Sequence, residues 1–282
     1  MKRSGVNVVV WDGDNTIWDW MGFAVPAYTA MRDAITILAR KSSEETSEAM
    51  KAFYAQKGSV ESEGLVQGLH QAGFFNSNSE FNVAQAAKEI QQLFSTVRRK
   101  HLKLYPAIAD TVQRIHDLGC LQVVLTDAPG NQAAARLKHF RLSPYFDEVY
   151  AMQSAELPEH APTEGFVHTS YVVDQEKPHS NLEAILGMTR EGIARHVAIV
   201  GDNKVKDMGL ADRYGALGVL AAYGHHPFTF IEPFLQFVPE PVAGRNVQLR
   251  TPIESGQAAQ SRVATAQRPE QVFRLVFELG GA

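Results

Sequence analysis

Residues 6–16 read Val6-Asn7-Val8-Val9-Val10-Trp11-Asp12-Gly13-Asp14-Asn15-Thr16. β-branched and apolar side chains run to Trp11, then stop at an acidic turn that contains a glycine. A short run of this kind, bounded by turn residues, reads as a buried strand. Asp12 and Asp14 follow it directly. Two carboxylates so placed can divide labour, one attacking as an anion and the other exchanging a proton. Asp-Gly also suits a hairpin with residues 16–20 as a returning strand, and the stretch alone does not decide between them.

Downstream of the turn the pattern is helical. Between residues 25 and 103, apolar side chains recur at helical spacing: Ala30, Ala34, Ile37 and Leu38 in one stretch, then Val83, Ala86, Ala87, Ile90, Leu93, Phe94 and Val97. Gly58, Gly64, Gly68 and Gly73 punctuate the middle and read as loops. From Tyr105 onward helix and strand alternate. Helices are expected over residues 109–118, 131–140, 181–187, 206–214 and 269–279, and strands over 121–125, 146–151, 197–200 and, last, 217–222. Residues 153–169 read as an exposed excursion, while 239–261 are polar and carry no assignment. Alternation of this kind implies an α/β fold: a Rossmann-like, mainly parallel sheet with helices on both faces, and ligands beyond the carboxyl ends of the strands.

The composition excludes several classes. The chain has 282 residues, 45 % of them hydrophobic, which suits a large core and argues against wholesale disorder. A formal net charge of -4 is unlike the basic balance of a nucleic-acid binder. The single cysteine, Cys120, rules out an internal disulfide and reads as a small buried hydrophobe. No apolar run approaches the roughly 20 residues of a membrane span, so no membrane partner and a soluble, cytoplasmic protein are expected.

Three further sites follow the same plan of polar residues after a strand or before a helix. Thr126-Asp127 follows 121–125, where a hydroxyl and backbone N–H groups can hold phosphate oxygens or simply cap a helix. Lys177 precedes Pro178. Gly201-Asp202-Asn203 follows 197–200 with Asp207 close behind, carboxylates of the kind a hard cation prefers.

In this order the four sites resemble the signatures of the haloacid dehalogenase-like hydrolase superfamily. Asp12-Gly13-Asp14-Asn15-Thr16 is similar to its Asp-x-Asp-x-Thr motif, Thr126 to the second-motif hydroxyl and Lys177 to the third-motif lysine. Gly201-Asp202, with four residues before Asp207, is similar to the fourth motif. The resemblance implies a catalytic set of Asp12 as nucleophile, Asp14 as acid and base, Thr126 on the phosphoryl group and Lys177 balancing charge. It implies Mg2+ as cofactor, held by Asp12, Asp202, the backbone carbonyl of Asp14 and, in a supporting role, Asp207. Gly13, Asp127, Trp18 and Trp20 are expected to border the substrate. The second aspartate implies phosphate ester chemistry rather than dehalogenation, because a halide leaves without a proton.

The resemblance further implies a catalytic core of residues 1–17 and 105–282 with a helical cap at 18–104, and a small phosphorylated molecule as partner. A protein phosphatase, a phosphomutase or phosphotransferase of the same superfamily, and a non-catalytic binding protein are the alternatives. Oligomeric state is not legible in the sequence.

Overall fold

The computed structural model describes residues 5–61, 64–76, 81–152, 170–173, 175–240, 242 and 262–279. The expected excursion at 153–169 and most of the unassigned stretch at 239–261 lie outside these residues. So far as they are described, residues 1–19, 104–225 and 252–282 form one compact unit and residues 20–103 and 226–251 a second.

Among the described residues the first unit is built on seven parallel strands: β1 (Val8–Trp11), β2 (Leu121–Pro129), β3 (Glu148–Met152), β4 (Ser170–Val172), β5 (Val197–Gly201), β6 (Leu217–Ala221) and β7 (Val263–Ala266). Their order across the sheet is β4-β3-β2-β1-β5-β6-β7. Every residue of β1, β5 and β6 is buried, which explains why these strands read as unbroken apolar runs rather than alternating ones. Val8, Val10, Val123 and Ile199 share one core with Leu182 of α7 (Leu182–Leu186), Ile193 of α8 (Arg190–His196) and Leu210 of α9 (Gly209–Tyr214). The other face meets α5 (Ile108–Asp117): the Gln122 amide donates to the Val112 carbonyl at 2.9 Å and accepts from Trp11 Nε1 at 3.0 Å. That pairing satisfies a fully buried polar side chain, which would otherwise cost free energy. The closing helix α11 (Glu270–Leu279) packs against α5, and α6 (Gly130–His139) links β2 to β3. The α/β expectation, with helices on both faces, therefore holds.

The chain leaves β1 toward β2 on one side and later leaves β5 toward β6 on the other. The carboxyl ends of β1 and β5 thus flank the switch point of the sheet, the usual ligand crevice of an open α/β fold.

The second unit contains α1 (Trp20–Ala39), α2 (Ser43–Lys57), α3 (Leu65–Gln71), α4 (Val83–His101) and α10 (Phe228–Leu235). Ser42 opens α2 with a capping box, its hydroxyl accepting from Glu45 N while Glu45 accepts from Ser42 N, and Gly58 closes the helix at φ 70°. Aromatic contacts join the helices: Tyr28 of α1 meets Phe94 of α4 and Phe234 of α10 edge-on, at 5.0 and 5.7 Å between ring centroids. This packing draws α10 into the helical unit, whereas the sequence reading assigned all of 105–282 to the core.

Six further elements differ from expectation, and two of them, β4 and α8, are short additions that the sequence reading did not include. β2 continues past Leu125 to Pro129, with an irregular register between Thr126 and Pro129. β7 adds a strand after the expected last one; it is an edge strand of four small or β-branched residues beside a polar stretch, too short to register as a pattern. α3 occupies part of the glycine-punctuated region read as loop. α10 carries Pro233 near its end, which obscured its helical reading.

Candidate active site

Asp12 sits one residue beyond β1, its backbone N–H donating to the Val200 carbonyl of β5 at 2.8 Å. The chain then turns tightly rather than forming a hairpin. Ile17 N donates to the Gly13 carbonyl at 2.9 Å, Asn15 N to the Trp18 carbonyl at 2.8 Å, and Asn15 adopts φ 56°. Gly13 is required by close approach: a Cβ there would lie 2.6 Å from the Trp18 ring. Asn15 tolerates the left-handed conformation better than most residues. The result is an Asp-x-Asp segment tied to β5 at Asp12 and folded back on itself through Trp18.

Lys177 reaches this segment from the loop after β4. Its Nζ lies 2.5 Å from Asp12 Oδ1 and 2.6 Å from Asp207 Oδ1, with only 4 % of the side chain exposed. Asp207 is supplied by a widened turn, Lys204–Met208, in which Asn203 N donates to Asp207 Oδ2 at 2.9 Å. Gly201 makes room for it, since a Cβ there would lie 2.2 Å from the Asp207 carboxyl carbon. Carboxylate oxygens of Asp12, Asp202 and Asp207 all lie within 4.8 Å of one another, and all three residues are buried. The segments after β1, β4 and β5 therefore converge on a single point.

The electrostatics are unbalanced in a definite sense. Burial, then the neighbouring Asp207 against the opposing pull of Lys177, raises Asp12 from 3.8 to about 8. Burial together with Asp12 and Asp207 pushes Asp202 well above the usual carboxylate range. Burial disfavours the Lys177 ammonium, yet Asp12, Asp207 and Asp127 outweigh it and hold its proton more tightly than usual. Full ionisation of the three carboxyls facing one ammonium would leave two negative charges uncompensated, which is why burial and mutual repulsion favour protons on Asp12 and Asp202 in the absence of a cation. A hard divalent cation with oxygen ligands fits both that deficit and this donor set.

The remaining sequence-selected residues are distributed as follows. Thr126 is buried within β2, its hydroxyl accepting from Ala128 N at 3.2 Å. Asp127 turns to the Lys177 loop: Oδ1 accepts from Lys177 N at 3.1 Å and Oδ2 from Lys206 Nζ at 2.7 Å. Burial opposes the Asp127 charge, but Lys177 and Lys206 prevail and keep its carboxyl below the usual range. Trp18 is fully buried and donates its indole N–H to Asp14 Oδ1. Trp20 belongs to the helical unit, where its indole donates to Glu61 Oε1 at 3.0 Å and its ring meets Phe23 and Phe234.

Four residues at the site were not anticipated. Arg136 of α6 lies 2.6 Å from Asp14 Oδ1. Lys206 binds Asp127. Tyr223 is half-buried and donates to the Thr16 carbonyl at 3.0 Å; desolvation, with Asp202 and Asp12 nearby, raises its phenol and keeps it neutral. His225 Nε2 lies 2.7 Å from the Asp202 carbonyl and donates to it. Only Arg136 left a sequence signal: it falls three residues after Ala133, on the core-facing stripe of a helix, where a charge is out of place.

Among the described residues no helix is long and apolar enough to cross a membrane. A comparison with curated proteins returned no significant match. Solved structures with a similar fold include a haloacid dehalogenase-like family hydrolase from Xanthomonas campestris (TM-score 0.58, 12 % identity, covering 99 % of this chain and 94 % of that one). A 2-haloacid dehalogenase from Pseudomonas syringae is similar at TM-score 0.54 and 15 % identity over 96 % of this chain and 98 % of its own. A HAD phosphatase from Thermococcus onnurineus is similar at TM-score 0.53 and 16 % identity, over 98 % and 99 % of the two chains. At such identities the likeness is one of fold. The sequence match is more specific: residues 6–215 fit the family model described as haloacid dehalogenase-like hydrolase, and the chain belongs to that family.

Proposed function

We propose that this hydrolase is a Mg2+-dependent phosphatase that cleaves a small phosphate monoester through a phosphoryl group carried on Asp12. The observation that carries the reading is the convergence of Lys177, Asp202 and Asp207 on the Asp12 carboxyl, with Asp14 two residues further along the same turn. A phosphate monoester and a carboxylate repel each other, so the site needs concentrated positive charge. Lys177 supplies part of it at 2.5 Å from Asp12. Asp12, Asp202 and Asp207, with the backbone carbonyl of Asp14, are the groups that would hold Mg2+. Bound there, the ion favours the ionised carboxylates and offsets charge on the phosphoryl oxygens.

In the first half-reaction an Asp12 oxygen bonds to phosphorus as the ester P–O bond breaks, and the departing oxygen takes a proton from Asp14. In the second, a water oxygen attacks phosphorus while Asp14 takes its proton. The Asp12–phosphorus bond breaks, releasing inorganic phosphate and restoring the carboxylate. Thr126 hydrogen-bonds the phosphoryl oxygens, with Gly13 and Trp18 bordering them. Asp127 fixes the Lys177 loop, since its two oxygens are engaged by Lys177 N and Lys206 Nζ. The helical unit, including Trp20, takes the part of a cap that selects the substrate.

A panel of phosphate monoesters assayed with Mg2+ and with excess chelator tests this reading. Phosphate release that requires the metal is expected; equal release in both conditions, or none on any ester, contradicts it.

Metal dependence should also be visible without turnover. Asp12 binds its proton more tightly in the folded protein than in the unfolded chain, so folding takes up a proton between 3.8 and about 8. That contribution to stability is complete below 3.8 and is lost as the pH rises toward about 8. Metal-free protein is therefore expected to melt lower at pH 8 than at pH 5.5. Mg2+ at a hundredfold excess over its dissociation constant should raise the pH 8 melting temperature by roughly 5–10 °C, and by much less at pH 5.5, where protons compete. A Mg2+ effect that is larger at pH 5.5 contradicts the assignment.

A further inference from the structure

Asp14 is gripped from two sides. Arg136 NH1 donates to Asp14 Oδ1 at 2.6 Å, and the Trp18 indole N–H donates to the same oxygen. The Arg136 side chain is only 4 % exposed. Its NH2 donates to Gln132 Oε1 at 2.8 Å, one turn back on α6, and its guanidinium carbon lies 5.7 Å from the Trp18 ring centre. Carboxyl, guanidinium and indole thus form one interlocked cluster inside the first unit.

Burying a guanidinium is costly, and an apolar side chain of similar volume is often a neutral or better replacement where only stability is at stake. Here the buried cation sits on α6 beside buried Ala133 and Leu137 and ends on the carboxyl of the turn after β1. The backbone of that turn is already fixed by the bridge between Asp14 and Trp18. Side-chain rotation of Asp14 is not fixed by the backbone, and the two donors remove it.

We propose that Arg136 and Trp18 are positioning residues that hold the Asp14 carboxyl where it can exchange a proton with the ester oxygen. The proposal rests on the phosphatase reading. Proton transfer is sensitive to small displacements of the donor, so loosening the grip should slow reactions in proportion to their need for an acid. A p-nitrophenolate leaves readily without a proton, whereas the more basic phenolate needs one.

The test compares kcat/KM for p-nitrophenyl phosphate and phenyl phosphate in the Mg2+-loaded full chain. This ratio reports only steps through phosphorylation of Asp12, and therefore isolates the acid role. Arg136→Met and Trp18→Phe, the latter removing little beyond the indole N–H, are each expected to lower kcat/KM for phenyl phosphate about tenfold further than for p-nitrophenyl phosphate. Asp14→Asn should produce the same bias, and adding Arg136→Met to it should add none. Equal losses on the two esters in both single variants, or biases that accumulate in the double variant, would overturn the proposal while leaving the phosphatase reading intact. A wild-type protein that releases phosphate from no ester of the panel, these two included, removes that reading and the positioning role with it.

Discussion

Replacing Asp12 with asparagine is expected to abolish turnover, with phosphate release from any monoester falling by at least about 10⁴-fold. The amide occupies nearly the same volume and can still accept from Lys177, so packing around β1 survives. It cannot form a bond to phosphorus that water then cleaves. The fold should not suffer, because burial already raises the Asp12 carboxyl to about 8 and so disfavours its charge. Asp12→Asn should therefore melt within a few degrees of wild type in chelator. It should also lose most of the stabilisation that Mg2+ gives the parent protein at pH 8. Retained phosphate release would remove Asp12 from the chemistry; collapse of the fold would mean that its charge, rather than its shape, sustains the turn.

Lys177→Met should damage both activity and stability. The ammonium lies within 2.6 Å of both Asp12 and Asp207, and removing it leaves two buried carboxyls facing each other. Breaking a buried ion pair by deleting one partner costs about 3–5 kcal/mol, less here because the abandoned carboxyls can take up protons. A melting temperature lower by roughly 5–10 °C is expected, alongside a kcat loss of about 10²–10³-fold from the missing charge at the reacting phosphoryl group. Lys177→Arg should rescue little, because a planar guanidinium does not fit a point-charge site so completely buried. Wild-type kinetics in Lys177→Met would place the essential positive charge elsewhere.

The sequence carried the frame of this site more completely than its interior. β1 and β5 are legible because strands buried on both faces must be apolar throughout, so that the polar residues at positions 12 and 202 stand out as stops. The capping box of α2 and the glycine that ends it are legible for a similar reason, since both are local. What joins the segments is not local. Arg136 meets Asp14 across 122 positions and Lys177 meets Asp12 across 165, and no periodicity encodes such pairings. Lys177 drew its role only from the family resemblance, since a lone lysine before a proline carries little signal of its own. Arg136 and Tyr223 had no motif to draw attention to them, Lys206 is one of the four intervening residues of the fourth motif and carried no role there, His225 read as a surface or rim residue, and β7 was hidden by its brevity at the edge of the sheet. Asp127 illustrates a different limit. Its place after an apolar run suggested contact with substrate, yet both its oxygens are engaged by Lys177 N and Lys206 Nζ.

The most direct measurement is to quench the Mg2+-loaded protein in acid during turnover of p-nitrophenyl phosphate and map the adduct by peptide mass spectrometry. One phosphoryl group on the peptide carrying Asp12, labile to hydroxylamine and missing from Asp12→Asn, is the expected result. Turnover with no phosphorylated peptide at any quench time, or a stable phosphoryl group on another residue, would mean that the three converging segments hold the ester for direct attack by water or for different chemistry.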